Sequence, residues 1–242
     1  MSDPKKVHLV LQGKGGVGKS YVASLLAQFH QYNHWPIVCM DTDPLNATLM
    51  DYKAFKTRRI DLMEGSTLLE RGFDSMIEAI VAEDTHFVVD NGAASFIPLT
   101  NYLIENDAIR MMTRAHKAVV IHTVITGNQA ILDTLRGLDQ LCEQIPPEAA
   151  LIVWLNEFFG DIEMNGKQFE EMAVYAKHRG RISSLVRIPR QTSSTFGTDV
   201  ALMLEKKLTF ADVDESADFG LMAKQRLTQV KRTLFDQLTV VV

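Results

Sequence analysis

Short apolar runs alternate with amphipathic stretches along most of the chain. The runs that predict buried strands are Val7–Gln12, Ile37–Met40, Phe87–Val89, Ala118–Val124, Ala149–Leu155 and Ile182–Ile188. After the first run, the i, i+3, i+4, i+7 spacing of one helix face is followed by Val22, Leu25, Leu26 and Phe29. Strands that are apolar throughout are typical of a parallel sheet with both faces covered. The pattern predicts a doubly wound α/β fold, with a mainly parallel sheet and helices on both faces.

Other stretches predict further helices. Thr67-x-x-Glu70 has the spacing of a capping box and predicts a helix whose inward side chains are Leu69, Phe73, Met76, Ile77 and Ile80. A second helix is expected from about residue 128 to 143. The last, from about Leu221, places Leu227, Val230, Leu234 and Leu238 on one face, which favours packing on the sheet over lying on a membrane. Because there is no repeat or flexible linker, we expect one domain over 1–242, with a helical part at about 198–242.

Composition narrows the class of protein. Of the 242 residues, 46% are hydrophobic and 23% charged, which excludes a disordered or collagen-like chain. The net charge of −5 excludes a globally basic nucleic-acid coat. Cys39 and Cys142 form no CxxC pair, so we expect reduced thiols, and the histidines show no ligand-like pairing. With no long apolar segment or signal peptide, the expected compartment is the cytoplasm.

The segment between the first strand and the first helix fits G-x-x-x-x-G-K-[ST], the P-loop pattern. Glycines let the backbone curl so that N–H groups point at phosphate oxygens, and the following helix adds its positive end. Lys19 is expected to neutralise the β- and γ-phosphates of a nucleotide, and Ser20 to offer its hydroxyl to Mg²⁺. The remaining residues of the predicted cradle are Gly13, Lys14, Gly15, Gly16, Val17 and Gly18.

Carboxylates end two of the predicted strands. Asp41 and Asp43 follow the second strand, and Asp90 follows Phe87–Val89 in the manner of a Walker B magnesium ligand. Carboxylates at this edge lie where ligands bind in open α/β sheets. The alternative is a set of ordinary Asx turns after strands.

The P-loop also contains a second lysine, Lys14. The form Lys-Gly-Gly-x-Gly-Lys-Ser resembles the deviant Walker A motif of the ParA/MinD family of ATPases. Within that group, Leu-Gln-Gly-Lys-Gly-Gly and Asp-Thr-Asp-Pro-x-Asn-Ala-Thr are most similar to TraL- and StbB-like proteins of conjugative plasmids. Motifs in the family's order span about residues 7–190. Asn91-Gly92-Ala93 departs from the Cys/Ser-Pro-Pro often found in the second switch.

The resemblance implies a set of roles. Lys14 would cross a dimer interface to the partner's nucleotide, Asp43 would orient the attacking water, and Asp41 would hold Mg²⁺ through water. Asn156 and Pro189 would contact adenine. The implied protein binds ATP and Mg²⁺, forms a homodimer with ATP, and hydrolyses it slowly to reset the dimer. It would position plasmid DNA or a transfer or partition complex with an unidentified protein partner.

Residues 172–198 contain basic residues and no acidic one. The basic residues are Lys177, Arg179, Arg181, Arg187 and Arg190, which suggest non-specific contact with the DNA backbone. The alternative is a solvated helix end. Three other functions stay open: a small-molecule ATP-dependent ligase or kinase, a MinD-like membrane-associated positioning ATPase, and a scaffold that holds nucleotide without turnover.

Overall fold

The computed structural model describes residues 3–65 and 67–242. In chain order, its strands are β1 (Lys5–Val10), β2 (Ile37–Asp41), β3 (Arg58–Arg59), β4 (Met63–Glu64), β5 (Thr67–Leu68), β6 (His86–Asp90), β7 (Lys117–Thr126), β8 (Ala150–Asn156), β9 (Glu163–Met164), β10 (Lys167–Gln168) and β11 (Ser184–Ile188). Its α-helices are α1 (Lys19–Tyr32), α2 (Gly72–Ala82), α3 (Phe96–Glu105), α4 (Ala108–Arg114), α5 (Ile131–Gln144), α6 (Ala173–His178), α7 (Thr198–Glu205), α8 (Phe210–Glu215) and α9 (Leu221–Val241).

In the described part of the chain, seven strands form one sheet in the order β11-β8-β7-β1-β6-β2-β3. Every neighbouring pair in this sheet is parallel. Strand β1 lies centrally, and the chain continues to β2 on one side and later to β7 on the other. The end of β1 is therefore the point at which the winding reverses, where open α/β sheets bind ligands. The predicted doubly wound, parallel α/β fold is confirmed.

Helices cover both faces of this sheet, and each face has its own apolar core. On one face α2, α3, α4 and α5 bury side chains such as Phe73, Leu99 and Leu135. On the other face α1, α7, α8 and α9 bury a second set that includes Leu25 and Leu234. Both faces of the strands are thus removed from water, which explains why the central parts of β1, β6 and β8 are mostly apolar.

A column of hydrogen-bonded imidazoles crosses the second core. Trp154 Nε1 donates to His122 Nδ1 at 2.9 Å, which leaves the His122 proton on Nε2. That nitrogen is 2.9 Å from Nδ1 of His8, and the His8 Nε2 is 3.0 Å from Nε2 of His30. The indole donor therefore fixes each tautomer in turn, and the histidines are structural, as their sequence pattern suggested.

The predicted capping box is wrong. Thr67 lies in β5, which pairs with β4, and the helix begins five residues later at Gly72. A Cβ at Gly72 would lie 2.7 Å from the Asp61 carbonyl oxygen, so glycine lets the chain turn closely at this point. Leu69 is 40% exposed instead of inward, whereas the other four predicted inward side chains are buried.

Helix α9 packs on the sheet through the predicted apolar face. Leu227, Val230, Leu234 and Leu238 are all buried in the core beside α1. This burial confirms packing as the main role of that face. Within the described residues, the structure contains no helix with the length and apolar character needed to cross a bilayer.

Candidate nucleotide-binding site

A cavity of about 490 Å³ lies at the carboxyl edge of the sheet, above the end of β1. It is bounded by the P-loop and the first turn of α1, by the loop after β2, by the loop after β6, and by the end of β8. The residues that represent these segments in its lining are Gly15, Ser20, Asp43, Asn91 and Asn156. Four segments that are distant in sequence therefore converge on one space of a size suited to a small ligand.

The P-loop backbone takes the left-handed conformation at two glycines. Gly16 has φ 73° and Gly18 has φ 102°, values that side-chain-bearing residues rarely adopt. At Gly18 a Cβ would also lie 2.6 Å from the Asn156 amide nitrogen. Helix α1 then begins at Lys19, so its N-terminal N–H groups and positive dipole end face the loop. This geometry is that of an anion cradle.

Lys19 is 8% exposed, and its ammonium points back into the loop. Its Nζ donates to the Lys14 carbonyl oxygen at 3.0 Å. Burial lowers the pKa of Lys19, while the carboxylates of Asp90 and Asp43 raise it. Those two carboxylates oppose the effect of burial, and the ammonium form of Lys19 can neutralise a phosphate in the site.

Asp90, at the end of β6, is a buried carboxylate with incomplete hydrogen bonding. It is 2% exposed, and its Oδ1 has no hydrogen-bond partner in the described structure. Burial raises its pKa to about 7, although the Ser20 hydroxyl and the Lys19 ammonium oppose the change. A divalent cation would supply the missing charge. Ser20 and Asp90 together are thus a donor set that fits Mg²⁺.

Asp41 lies beside Asp90 in register on the neighbouring strand, but its carboxylate serves the loop after β2. Oδ1 accepts from the Asp43 backbone N–H at 2.9 Å, and Oδ2 accepts from that of Leu49 at 3.0 Å. Burial raises the pKa of Asp41 to about 6 despite these bonds. In this arrangement Asp41 anchors the loop, and its role as a water-mediated magnesium ligand remains a prediction.

Asp43 lines the cavity and is partly exposed. Its Oδ1 accepts from the backbone N–H groups of Leu45 at 2.9 Å and Asn46 at 3.0 Å. Among the described residues, no hydrogen bond reaches Oδ2. One oxygen therefore fixes the side chain, and the other is available to a water molecule in the cavity.

The Lys14 side chain turns away from the cavity toward the start of α5. Its Nζ lies 2.9 Å from Asp133 Oδ2, and both side chains are nearly half exposed. Asp133 is a residue that the sequence pattern did not single out. The same rim borders a second cavity of about 500 Å³, between Gly15–Val17 and the loop of residues 126–130.

Asn156 and Pro189, the predicted adenine contacts, lie at the ends of neighbouring strands, since Ile188 pairs in register with Asn156. The Asn156 amide donates to the Val17 carbonyl at 2.9 Å and accepts from the Phe158 N–H at 3.2 Å. The Asn156 side chain therefore holds the backbone of the P-loop in place. Pro189 lies outside the lining of the 490 Å³ cavity, in a cleft beside Tyr21 and Phe158. Their contact with a base remains a prediction.

Acidic residues from other segments neutralise much of the basic cluster. Lys177 contacts Asp139 at 2.8 Å and Glu143 at 2.6 Å. The ion-pair partners of Arg187 are Glu157 and Glu170, and that of Arg190 is Asp161. Arg181 donates to the Pro146 carbonyl, whereas Arg179 is exposed. The absence of acidic residues between 172 and 198 thus gave no information about charge in three dimensions.

Comparison with known proteins identifies close relatives. Two Escherichia coli proteins named Protein TraL are 45% and 42% identical to this chain over 233 residues, which is 96% of this chain and 97% of each relative. No protein-family model matches.

Solved structures share the fold at much lower identity. One is a Borrelia burgdorferi B31 protein assigned to plasmid partition and bound to AMPPNP, with a TM-score of 0.56 and 13% identity over 98% of this chain and all of that one. The MinC:MinD cell division complex of Aquifex aeolicus gives a TM-score of 0.51 and 12% identity over 96% of both chains.

Proposed function

The chain belongs to the TraL family and has the fold of MinD- and ParA-type P-loop proteins, and from this premise we propose that it is an ATP-driven molecular switch. ATP joins two copies face to face, and hydrolysis lets them part. The observation that carries the proposal is the position of Lys14: it belongs to the P-loop, yet its ammonium lies at the exposed rim of the site.

Different residues around the cavity bind the phosphates and the magnesium ion. The P-loop amides and Lys19 hold the phosphates, and the start of α1 adds its positive end. Ser20 and Asp90 would hold Mg²⁺, which would supply positive charge to the site when bound. The raised pKa and unpartnered Oδ1 of Asp90 support this assignment.

Asp43 positions the nucleophile. Its Oδ1 is held by two backbone N–H groups, so Oδ2 accepts a hydrogen bond from a water molecule in the cavity. The water oxygen forms a bond to the γ-phosphorus and gives up a proton to a phosphate oxygen, while the bond between the γ-phosphorus and the oxygen bridging to the β-phosphate breaks; the products are ADP and phosphate. Lys14 of a second copy stabilises the charge on the γ-phosphate.

The lifetime of bound ATP thereby determines how long the dimer and its binding surface persist. The dimer positions plasmid DNA or a transfer or partition complex and separates after hydrolysis. The likeness to a plasmid partition protein supports this cargo. We also propose that residues 1–242 act as one P-loop unit and that a protein partner sets the rate of turnover.

Mixing two inactive variants tests the proposal. Lys14→Ala keeps Asp43 but cannot supply the lysine, and Asp43→Ala keeps the lysine but cannot position water. In a mixed dimer, one site receives both groups. Since about half of randomly paired dimers are mixed, activity should return to about a quarter of wild type.

The control is Lys5→Ala, at the opposite edge of the sheet from the P-loop, which should hydrolyse ATP like the wild type. Failure of the mixture to regain activity, with both variants folded and binding ATP, would show that Lys14 does not act across an interface. An inactive wild-type chain that does not bind ATP would contradict the switch itself.

A further inference from the structure

The loops after β2 and β6 are joined by a buried knot of hydrogen bonds. Thr42 donates its hydroxyl to Asn91 Oδ1 at 2.8 Å, and the Ser95 hydroxyl lies 2.9 Å from the same oxygen. Asn91 Nδ2 donates to the Gly92 carbonyl at 3.0 Å. Thr42, Asn91 and Ser95 have no exposed surface. A buried hydrogen-bonded network of this kind restrains its members to one arrangement.

A backbone hydrogen bond ties the same two loops together. The Thr42 backbone N–H donates to the Asp90 carbonyl at 3.0 Å, so the parallel pairing of β2 and β6 continues past the strands. Ser95 Oγ also lies 3.2 Å from the carbonyl oxygens of Thr42 and Gly92, which are alternative acceptors for the single hydroxyl proton that can also bond to Asn91 Oδ1. These contacts couple the loop after β6 to the loop that carries Asp43.

Gly92 brings this knot against the Asp43 carboxylate. A Cβ at Gly92 would lie 2.6 Å from Asp43 Cγ, 2.8 Å from its Oδ2 and 2.9 Å from its Cα. No real Cβ approaches other atoms so closely, so only glycine allows this contact. Because Oδ1 is fixed by Leu45 and Asn46, the backbone of Gly92 sets the position that remains to Oδ2.

We propose that Asn91, Gly92 and Ser95 are positioning residues for Asp43: the knot holds the loop after β6 so that Gly92 fixes the direction of the Asp43 carboxylate. The inference rests on the proposed ATPase function and assigns a task to a segment that departs from the family's usual Cys/Ser-Pro-Pro.

The test is a double-mutant cycle between Gly92→Ala and Asp43→Ala, with turnover and ATP binding measured separately. The added methyl should displace the carboxylate, and misplacement by about 1 Å lowers turnover by about 100-fold. Affinity for ATP should stay within about threefold, because the P-loop cradle is untouched. In the Asp43→Ala background the same methyl should have no further effect on the residual rate, since no carboxylate remains to be displaced.

Two further variants complete the experiment. Gly180→Ala adds a methyl into open space and should behave as the wild type. Ser95→Ala removes one hydroxyl from Asn91 without adding volume, and it should lower turnover while ATP binding is kept. It also serves as the second probe if Gly92→Ala fails to fold.

Three results would overturn the proposal while the wild type remains an ATPase. One is unchanged turnover in both Gly92→Ala and Ser95→Ala. Another is an equal loss from Gly92→Ala with and without the Asp43 carboxylate. The third is a loss of ATP affinity that accounts for the whole effect. By contrast, an inactive wild type would refute the proposed function and is recognised before any variant is compared.

Discussion

Replacing Asp90 with asparagine should make the ligand-free protein more stable. The Asp90 carboxylate is buried with an unpartnered Oδ1, and its pKa rises from 3.8 to about 7. At about 1.4 kcal/mol for each pKa unit, keeping the group charged at pH 8 costs about 4 kcal/mol. Asparagine has nearly the same shape and no charge, so Asp90→Asn should recover about 2–4 kcal/mol of unfolding free energy.

The sign of the pH dependence follows from the same pKa. A carboxyl whose native pKa lies above its unfolded value binds a proton more tightly in the folded state. Its charge therefore lowers stability progressively as pH rises from about 4 to about 7. The advantage of Asp90→Asn over wild type should grow across this range and remain constant above it.

Asp41→Asn is the matched control, because Asp41 is equally buried on the adjacent strand. Its two oxygens accept backbone N–H groups from Asp43 and Leu49, and an amide NH₂ would oppose one of these donors. Leaving that donor unsatisfied costs about 1–3 kcal/mol, which offsets the gain from removing the charge. This variant should therefore gain little stability or lose some.

Denaturant unfolding at pH 8 in EDTA, repeated with ATP and Mg²⁺, measures both effects. Wild type should gain stability from ATP and Mg²⁺, whereas Asp90→Asn should gain much less, because it lacks the charge that holds the cation. The reasoning is refuted if Asp90→Asn is less stable than wild type in EDTA, or if ATP and Mg²⁺ stabilise it as strongly as wild type.

Three other predictions test separate parts of the structure. Gly137→Ala would place a Cβ 2.2 Å from Gln12 Oε1. It should therefore lower the unfolding free energy by about 1–3 kcal/mol in a denaturant titration, although alanine has the better helix propensity. A neutral effect would contradict this packing. Burial lowers the pKa of His30 and His122 to about 3. The unfolded chain therefore takes up protons at a higher pH than the folded protein, and the stability that these rings contribute falls as pH drops below 6.5. NMR titration of either ring near pH 6.5 in the folded protein would refute their burial. If DNA binds at the basic cluster, Arg179→Glu should weaken binding in a gel-shift assay and reduce its salt dependence. Lys177→Ala should change DNA affinity little, because two carboxylates already contact Lys177. Equal effects of the two variants would count against this surface.

The sequence predicted most of the sheet because hydrophobic periodicity is a local signal. The strands at Ile37–Asp41, His86–Asp90 and Ala150–Asn156 lie within one or two residues of the predicted apolar runs. The capping box failed because Thr67 and Glu70 have the right spacing, while the backbone around them pairs with a neighbouring short strand. Spacing alone does not exclude a competing tertiary hydrogen bond.

The P-loop was predictable for the same local reason, since its residues are contiguous. The partners of its side chains were not, because they come from distant segments. Asp133 contacts Lys14 from the start of α5, and Gly92, in the loop after β6, contacts Asp43, in the loop after the neighbouring β2. Likewise, the carboxylates that neutralise Lys177 belong to α5, which lies far from the basic cluster in sequence.

Equilibrium binding of ATP to the full chain in the presence of Mg²⁺, compared between wild type and Lys19→Ala, tests the central claim most directly. The ammonium of Lys19 is enclosed by the loop and faces Asp90 and Asp43, so its removal leaves the phosphates without their main side-chain cation. We predict saturable binding by wild type and a loss of about 100-fold or more in the variant. Absence of binding to wild type, or equal affinity in both proteins, would contradict the account.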